Sequence, residues 1–519
     1  MLASRGVDTI FGIPGVHNVE LYRGIEEAGL AHVLARHEQG AGFMADGYAR
    51  ASGRPGVAYV ISGPGLTNIM TPLGQAYSDS VPVLVIASCL DDTETYRGQL
   101  HQMRDQAGAA RAAAEWSETA EDDDQAFAMI DSALASFSQG RSRPKVMHVP
   151  INALGNEASL FPAFMSQQSS SPRPPDVAEV ARLIRQSRRP MFIFGGGAKC
   201  PNNPGLPAEA MQKSRATAFT TFAGRGILAP DTPMSFGAHL AQIDAIDVLQ
   251  KADLLIAVGT ELAAVDFYRE TLGHDCPLVR VDVDPEVLAD VYQASVRIKS
   301  ESADFLSALI DQLGNPDTDW SRQDVADARA RWRRELAASQ PAIVSICDAL
   351  SQSLPDEIMI YSDMTQFAYT ANEIWQMRRP GHWHHPSGFG TLGYALPAAI
   401  GGIIARKGAP TLAIAGDYGF QYTLQELGTA AELGLNLPIL LWDNSGLAAI
   451  HDAMVESQIA PTAVQAKNPD WSLLAKAYEC EFAQPASLIQ LSESIHGAFK
   501  ADKPTLIRVT PEITNPNGL

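Results

Sequence analysis

The sequence has no apolar run approaching the roughly 20 residues of a bilayer-spanning helix, and it opens without the basic-then-apolar pattern of a signal peptide. No membrane segment is therefore expected. Cysteine is scarce: Cys89, Cys200, Cys276, Cys347 and Cys480 are scattered and form no Cys-x-x-Cys pair. That excludes a disulfide framework or a zinc knuckle as the organising device and fits a reducing, cytoplasmic compartment. Basic charge is in deficit, with 39 Lys and Arg against 59 Asp and Glu, a net charge of −20 and a pI near 5.0. Such a surface repels nucleic acid and anionic membranes, so neither is an expected partner. No short-period repeat is apparent. The strand-like Asp8–Gly12 begins so close to the start that a short preceding piece is expected.

What remains is an ordinary globular composition, 46% hydrophobic and 19% charged. A chain of 519 residues has room for about three domains. Two segments read as linkers. Ser166–Pro175 is polar and proline-rich, and Gly314–Asp319 precedes a charged helix expected over Val325–Ala338. They divide the chain into 1–160, 176–313 and 335–519. Each part alternates short β-branched runs with helical stretches. The expected strands are Val57–Ser62 and Val81–Ala87, then Pro190–Phe194, Leu254–Val258 and Leu278–Val283, then Met359–Tyr361, Thr411–Ala415 and Leu437–Trp442. This pattern predicts three α/β domains with doubly wound parallel sheets. Ligands in such sheets bind at the carboxyl ends of the strands.

Two of those ends carry polar residues. Ala413-Ile414-Ala415-Gly416-Asp417-Tyr418-Gly419 runs from a strand into a turn, with a helix expected over Thr423–Leu433. The next strand ends in Asp443-Asn444-Ser445-Gly446. Asp417 and Asn444 lie 27 residues apart, enough for one βαβ crossover, so both reach neighbouring loops at one sheet edge. A carboxylate and an amide oxygen suit magnesium, and Gly419 with the helix start behind it can offer N–H groups to phosphate. A plain Gly-Asp turn satisfies the same pattern. In the first part, Arg36-His37-Glu38-Gln39-Gly40 opens a helix of small residues. On its own, Glu38 is a charge at a helix N-terminus.

The Gly-Asp…Asn segment resembles the magnesium–diphosphate motif of thiamine diphosphate enzymes, and Arg36–Arg50 resembles their pyrimidine-side motif. The loops Phe11-Gly12-Ile13-Pro14-Gly15 and Ser62-Gly63-Pro64-Gly65-Leu66-Thr67-Asn68 flank Glu38 in the same order as in that family, as do Ser362–Gln366 and His384–Gly401 in the last part. The resemblance spans the whole chain: pyrimidine-binding domain, middle domain, diphosphate-binding domain. It implies that Asp417, Asn444 and the Gly446 carbonyl hold Mg2+, and that Glu38 bonds N1′ of the aminopyrimidine. Pro14, Gly15, Asn68, Gln366, Gly416, Tyr418 and Gly419 would line the cofactor. The Gly390 carbonyl would accept from its 4′-amino group, and Leu392 would be the apolar wedge that bends it. The motif departs at Tyr418, where the family has glycine; a residue needing φ > 0 there would be strained.

The resemblance also implies a homodimer or homotetramer with active sites at the subunit interface. Phe194-Gly195-Gly196-Gly197-Ala198-Lys199 is not a dinucleotide fingerprint. Some relatives, the acetohydroxyacid synthases, bind FAD in the middle domain; here a structural loop without FAD is expected. Within the family, Arg36–Arg50, Gly63–Ser80, Asp363–Glu373 and Trp383–Gly401 resemble decarboxylases of 5-guanidino-2-oxopentanoate. Where acetolactate synthases carry Phe-Gln-Glu, this chain has Leu100-His101-Gln102. A histidine there suits proton transfer, through His101 or His17, and favours decarboxylation over an acetolactate-like carboligation. Asp452 and Glu456 are candidate partners for a guanidinium tail, or else a solvated helix face. A third reading, a catalytically silent subunit, rests on Tyr418.

Overall fold

In the computed structural model, residues 1–91, 97–161, 174–314 and 316–514 are described. They form two compact units, one of Met1–Gln167, Met359–Gln366 and Gly388–Thr510, the other of Gln168–Ile358, Phe367–Ser387 and Pro511–Leu519.

The first unit holds two parallel sheets. One orders its strands Ala31–Leu34, Thr9–Gly12, Gly56–Val60, Val83–Cys89, Lys145–Pro150 and Trp116–Thr119. The other contains, in order, Met359–Ser362, Thr411–Gly416, Pro438–Trp442, Thr505–Val509 and Glu481–Ala483. Its order repeats that of the last five strands of the first sheet. The central strands are buried along their whole length, as strands covered on both faces must be. In the first sheet the direction of winding reverses beside Thr9–Gly12, and the loops there share one carboxyl edge. The second unit holds the remaining sheet, ordered Val296–Lys299, Leu278–Asp282, Leu254–Val258, Pro190–Phe194, Thr217–Thr220 and Ser235–Gly237. The expected α/β architecture with three parallel sheets is thus observed.

Two helices of the first unit pack unusually close. Glu38–Ser52 crosses Ala395–Ala405 so tightly that a Cβ on Gly47 would lie 1.9 Å from the Ala398 carbonyl oxygen. A Cβ on Gly401 would lie 1.9 Å from that of Met44. Buried polar contacts lock the crossing. Tyr361 Oη donates to the Gly47 carbonyl at 2.8 Å, and Tyr394 Oη donates to Asp46 at 2.7 Å. Arg50 joins Asp46 to Asp79 at 2.7 and 2.8 Å. Gly401→Ala must push these backbones apart, so it is expected to destabilise the protein by about 1–3 kcal/mol, read as a lower midpoint in thermal or urea unfolding.

Sequence and structure differ at several points. Of the first expected linker, residues 166–173 lie outside the described residues. The second is pinned: Arg188 pairs with Asp317 at 2.7 Å and with Asp319, and Trp320 is buried. The charged helix runs from Arg322 to Ser339, started by a Ser321–Asp324 capping box. The helix expected over Thr423–Leu433 is shorter, Glu426–Glu432, because a separate turn of helix, Asp417–Phe420, takes up the chain before it.

Candidate active site

The carboxyl edge of the first sheet gathers the residues expected to act on the pyrimidine. Glu38 is the first residue of its helix, and His37 caps it by accepting from the Gln39 N–H. The Glu38 side chain is 9% exposed and makes no ion pair among the described residues. Asn68 Nδ2 donates to its Oε2 at 2.9 Å. Its Oε1 lies 3.5 Å from where Gly65 would place a Cβ, so the missing side chain leaves that oxygen open on one flank. Asn68 and Gly65 belong to the helix Pro64–Ser78, which follows the adjacent strand. The loop after Thr9–Gly12 is fixed by Asn18, whose Oδ1 accepts from the Gly15 N–H at 2.7 Å. Pro14, beside it, is exposed.

His17 and His101 meet here. Their rings lie 4.9 Å apart, edge to face, and His17 Nδ1 shares a hydrogen bond with Ser62 Oγ at 2.7 Å. Burial, then the nearby His101, hold His17 below the usual imidazole range. His101 adopts a left-handed backbone, φ 64°, and its buried Nδ1 has no hydrogen-bond partner among the described residues. A strained residue with an unmet polar atom is the kind of feature that marks a functional position.

The carboxyl edge of the other sheet gathers the diphosphate-side residues. Gly416 pairs with Trp442 in register, so Asp417 and Asn444 emerge from neighbouring strands as the spacing required. Asp417 is 1% exposed and accepts from Asn468 Nδ2 at 2.6 Å and from the Tyr418 N–H at 2.9 Å. Burial raises its pKa and the charge of Asp443 adds to the effect, against the Asn468 hydrogen bond. Asp443 is held low: burial opposes ionisation, but Arg508 at 2.7 Å and the Trp471 indole outweigh it. Asn468 bridges the two carboxylates, donating also to Asp443 at 2.9 Å. Asn444 donates its Nδ2 to Gln366 Oε1 at 3.1 Å, which leaves its carbonyl oxygen facing elsewhere. Ser445 at φ 62° turns the chain into Gly446.

Tyr418 lies inside the helical turn Asp417–Phe420 and has no positive φ, so the position does not require glycine. Leu392 packs beside this turn, its Cδ2 only 3.2 Å from where Gly419 would carry a Cβ. The loop holding Leu392 and Gly390 (φ 71°) is anchored by Asp363, which accepts from the Gly393 N–H at 2.9 and 3.1 Å. Burial pushes the Asp363 carboxyl up to about 7.

These residues fit the groups the sequence implies. Asp417, a buried carboxylate with no ion pair among the described residues, beside Asp443 whose charge is paired to Arg508, suits a cation. Asp417, an amide oxygen and a backbone carbonyl are hard donors of the kind magnesium takes. A buried carboxyl open on one flank suits a hydrogen bond to a neutral ring nitrogen. The Gly195–Gly197 loop is explained otherwise. A Cβ on Gly195 would lie 2.2 Å from the Gly259 carbonyl oxygen, and one on Gly259 2.3 Å from the Gly197 carbonyl carbon. Its glycines let two strand-end loops pack together. Asp452 and Glu456 are exposed on the helix Ala448–Glu456, which buries no residue.

Three family models match the chain. They are the N-terminal TPP binding domain of thiamine pyrophosphate enzymes over residues 1–109, their central domain over 177–309 and their C-terminal TPP binding domain over 363–509. The chain belongs to the thiamine pyrophosphate enzyme family, and it is an enzyme dependent on that cofactor. It is 41% identical over 517 residues to a probable 2-ketoarginine decarboxylase, AruI, of Pseudomonas aeruginosa, covering 98% of this chain and 92% of that one. It is 28% identical to the large subunit of acetolactate synthase isozyme 2 of Escherichia coli, over 98% and 94% of the two chains. The mitochondrial acetolactate synthase catalytic subunit of Saccharomyces cerevisiae is 26% identical, over 98% and 79%.

Sequence reasoning missed Asn468 as part of the site, and it gave no individual role to Asp363 or Asp443, although both lie in segments it singled out. No helix among the described residues is long and apolar enough to cross a membrane.

Proposed function

We propose that the chain decarboxylates a 2-oxo acid to an aldehyde, with 5-guanidino-2-oxopentanoate as its substrate. The observation that carries the decarboxylase reading is the His17–His101–Ser62 cluster, on the same sheet edge as Glu38. It brings together two imidazoles and a hydroxyl, groups that can hold and pass a proton, where acetolactate synthases have a Phe-Gln-Glu stretch in place of Leu100-His101-Gln102. Identity to a probable 2-ketoarginine decarboxylase supports the choice of acid.

Bound thiamine diphosphate supplies a carbon nucleophile and an electron sink for the pair left when carbon dioxide departs. Asp417, Asn444 and the Gly446 carbonyl would hold Mg2+, and Gly416, Tyr418, Gly419 and Gln366 would line the diphosphate. Leu392 would be the apolar residue that packs against the bound cofactor, and the Gly390 carbonyl would accept from its amino group. Pro14, Gly15 and Asn68 close the pyrimidine pocket. Glu38 would accept a hydrogen bond from the pyrimidine side of the cofactor, and His17 and His101 would hold and deliver the proton that replaces carbon dioxide. The working unit is a homodimer or homotetramer, with the Glu38 edge of one subunit facing the Asp417 edge of another. The five free cysteines fit a cytoplasmic setting.

The test is product analysis with 5-guanidino-2-oxopentanoate, pyruvate and benzoylformate. Aldehyde from the guanidino acid supports the reading. An acyloin from pyruvate would replace it with carboligation. His101→Ala is expected to slow aldehyde formation by about 10²-fold or more while leaving cofactor affinity unchanged, measured by steady-state turnover and by titration with thiamine diphosphate.

A further inference from the structure

Glu426 is wholly buried, yet it is the first residue of a short helix that follows the Asp417 turn. Its carboxylate reaches the segment that leads into Glu38. Oε1 accepts from the Arg36 N–H and the His37 N–H, both at 3.1 Å, and Oε2 lies 3.2 Å from the Arg36 nitrogen. Thr429, one turn on, donates its hydroxyl to Oε2 at 2.7 Å. The same helix touches this segment twice more: Thr429 Oγ1 lies 3.2 Å from the Leu34 carbonyl oxygen, and Glu432 pairs with the Arg36 guanidinium. Gly40 leaves the room this requires, since a Cβ there would lie 2.2 Å from Glu426 Oε1.

His37 is the cap of the Glu38 helix and Glu38 is its first residue. The backbone N–H groups of Arg36 and His37 lie before that helix and have no strand partner after Leu34. Left buried and unmet, each would cost about 1–3 kcal/mol. A charged acceptor satisfies both at once and fixes the chain one residue ahead of the Glu38 side chain. An ordinary core residue would serve burial there; a carboxylate serves placement.

We propose that Glu426 is a positioning residue for Glu38. Its carboxylate clamps the Arg36–His37 backbone and so sets where the Glu38 carboxyl meets the pyrimidine. The proposal rests on the reading of Glu38 given above. Small displacements of a reacting group are expensive, so loosening the clamp slows the step Glu38 assists while substrate and cofactor binding stay nearly unchanged.

Two readouts test it. The first is amide hydrogen exchange of the Arg36–His37 peptide in protein without cofactor. The second is the rate at which the C2 proton of bound thiamine diphosphate exchanges with solvent, in wild type, Glu426→Ala, Glu426→Gln and Glu38→Gln. Glu426→Ala is expected to lose protection at both amides and to slow C2 exchange by roughly ten- to a hundred-fold. Glu426→Gln, which keeps one oxygen acceptor, should recover part of both. Thr429→Val, which removes the hydroxyl that anchors Glu426 and touches the Leu34 carbonyl but keeps the carboxylate, is the mild variant should Glu426→Ala fail to fold; it should slow C2 exchange slightly. Unchanged C2 exchange in Glu426→Ala, with Glu38→Gln slow, would overturn the positioning role alone. Unchanged exchange in Glu38→Gln would overturn the reading of Glu38 itself.

Discussion

Glu38→Gln is expected to lower turnover by about 10²–10⁴-fold, the usual worth of one well-placed acid–base group, with fold and cofactor affinity retained. The substitution is nearly isosteric. Its carbonyl oxygen can still accept from Asn68 Nδ2, which now lies 2.9 Å from Glu38 Oε2, and the Pro64–Ser78 helix need not shift. What changes is the other end. On the flank opened by Gly65 a carboxyl oxygen becomes an amide NH2, which cannot share a proton with a ring nitrogen. The loss should therefore fall on kcat, with the KM for the 2-oxo acid and the unfolding midpoint close to wild type. Steady-state kinetics and a thermal melt on one preparation check both halves. Wild-type turnover in this variant would remove Glu38 from the chemistry.

Asp417→Asn is expected to weaken the binding of thiamine diphosphate with Mg2+ by more than about 100-fold, because partners that only orient a metal ligand are already worth 10- to 100-fold. In this chain the carboxylate is the single anionic ligand proposed, so its charge has no substitute. Asn468→Ala supplies the graded comparison. Asn468 orients Asp417 from 2.6 Å and bridges it to Asp443, so its amide is already committed to those carboxylates. Its removal should weaken metal-dependent binding by about 10- to 100-fold, less than the loss of Asp417. Titrating the stripped protein with Mg2+ at fixed thiamine diphosphate, followed by tryptophan fluorescence, ranks the two. Equal binding by wild type and Asp417→Asn would place the metal elsewhere.

Local pattern made much of this legible. Runs such as Leu254–Val258 are apolar on both faces, which only a doubly covered parallel strand explains, and they are strands as expected. The 27-residue spacing of Asp417 and Asn444 fits one crossover, and the register of Gly416 with Trp442 brings their strand ends side by side. Glu38 begins its helix where the sequence placed it. The parts that were not legible depend on contacts distant in sequence. Asn468 joins Asp417 across 51 residues, and Glu426 reaches Arg36 across 390. Neither has a local signature, because an Asn before a Pro or a Glu at a helix start has a local explanation already. Tyr418 was misleading for a related reason. A motif transmits residue identity without backbone angle, and here the turn closes as a helix, where tyrosine is unstrained. Asp452 and Glu456 sit on an exposed helix, the bland alternative that their one-turn spacing also allowed.

The central claim is that this chain cleaves carbon dioxide from a 2-oxo acid only with thiamine diphosphate and magnesium in place. The direct measurement strips the purified protein of both, then follows carbon dioxide release from 5-guanidino-2-oxopentanoate as each is returned. The account predicts release only when both are present, with the guanidino acid turned over faster than pyruvate or benzoylformate. Release without thiamine diphosphate, or none from any of the three acids although the cofactor binds, would contradict it.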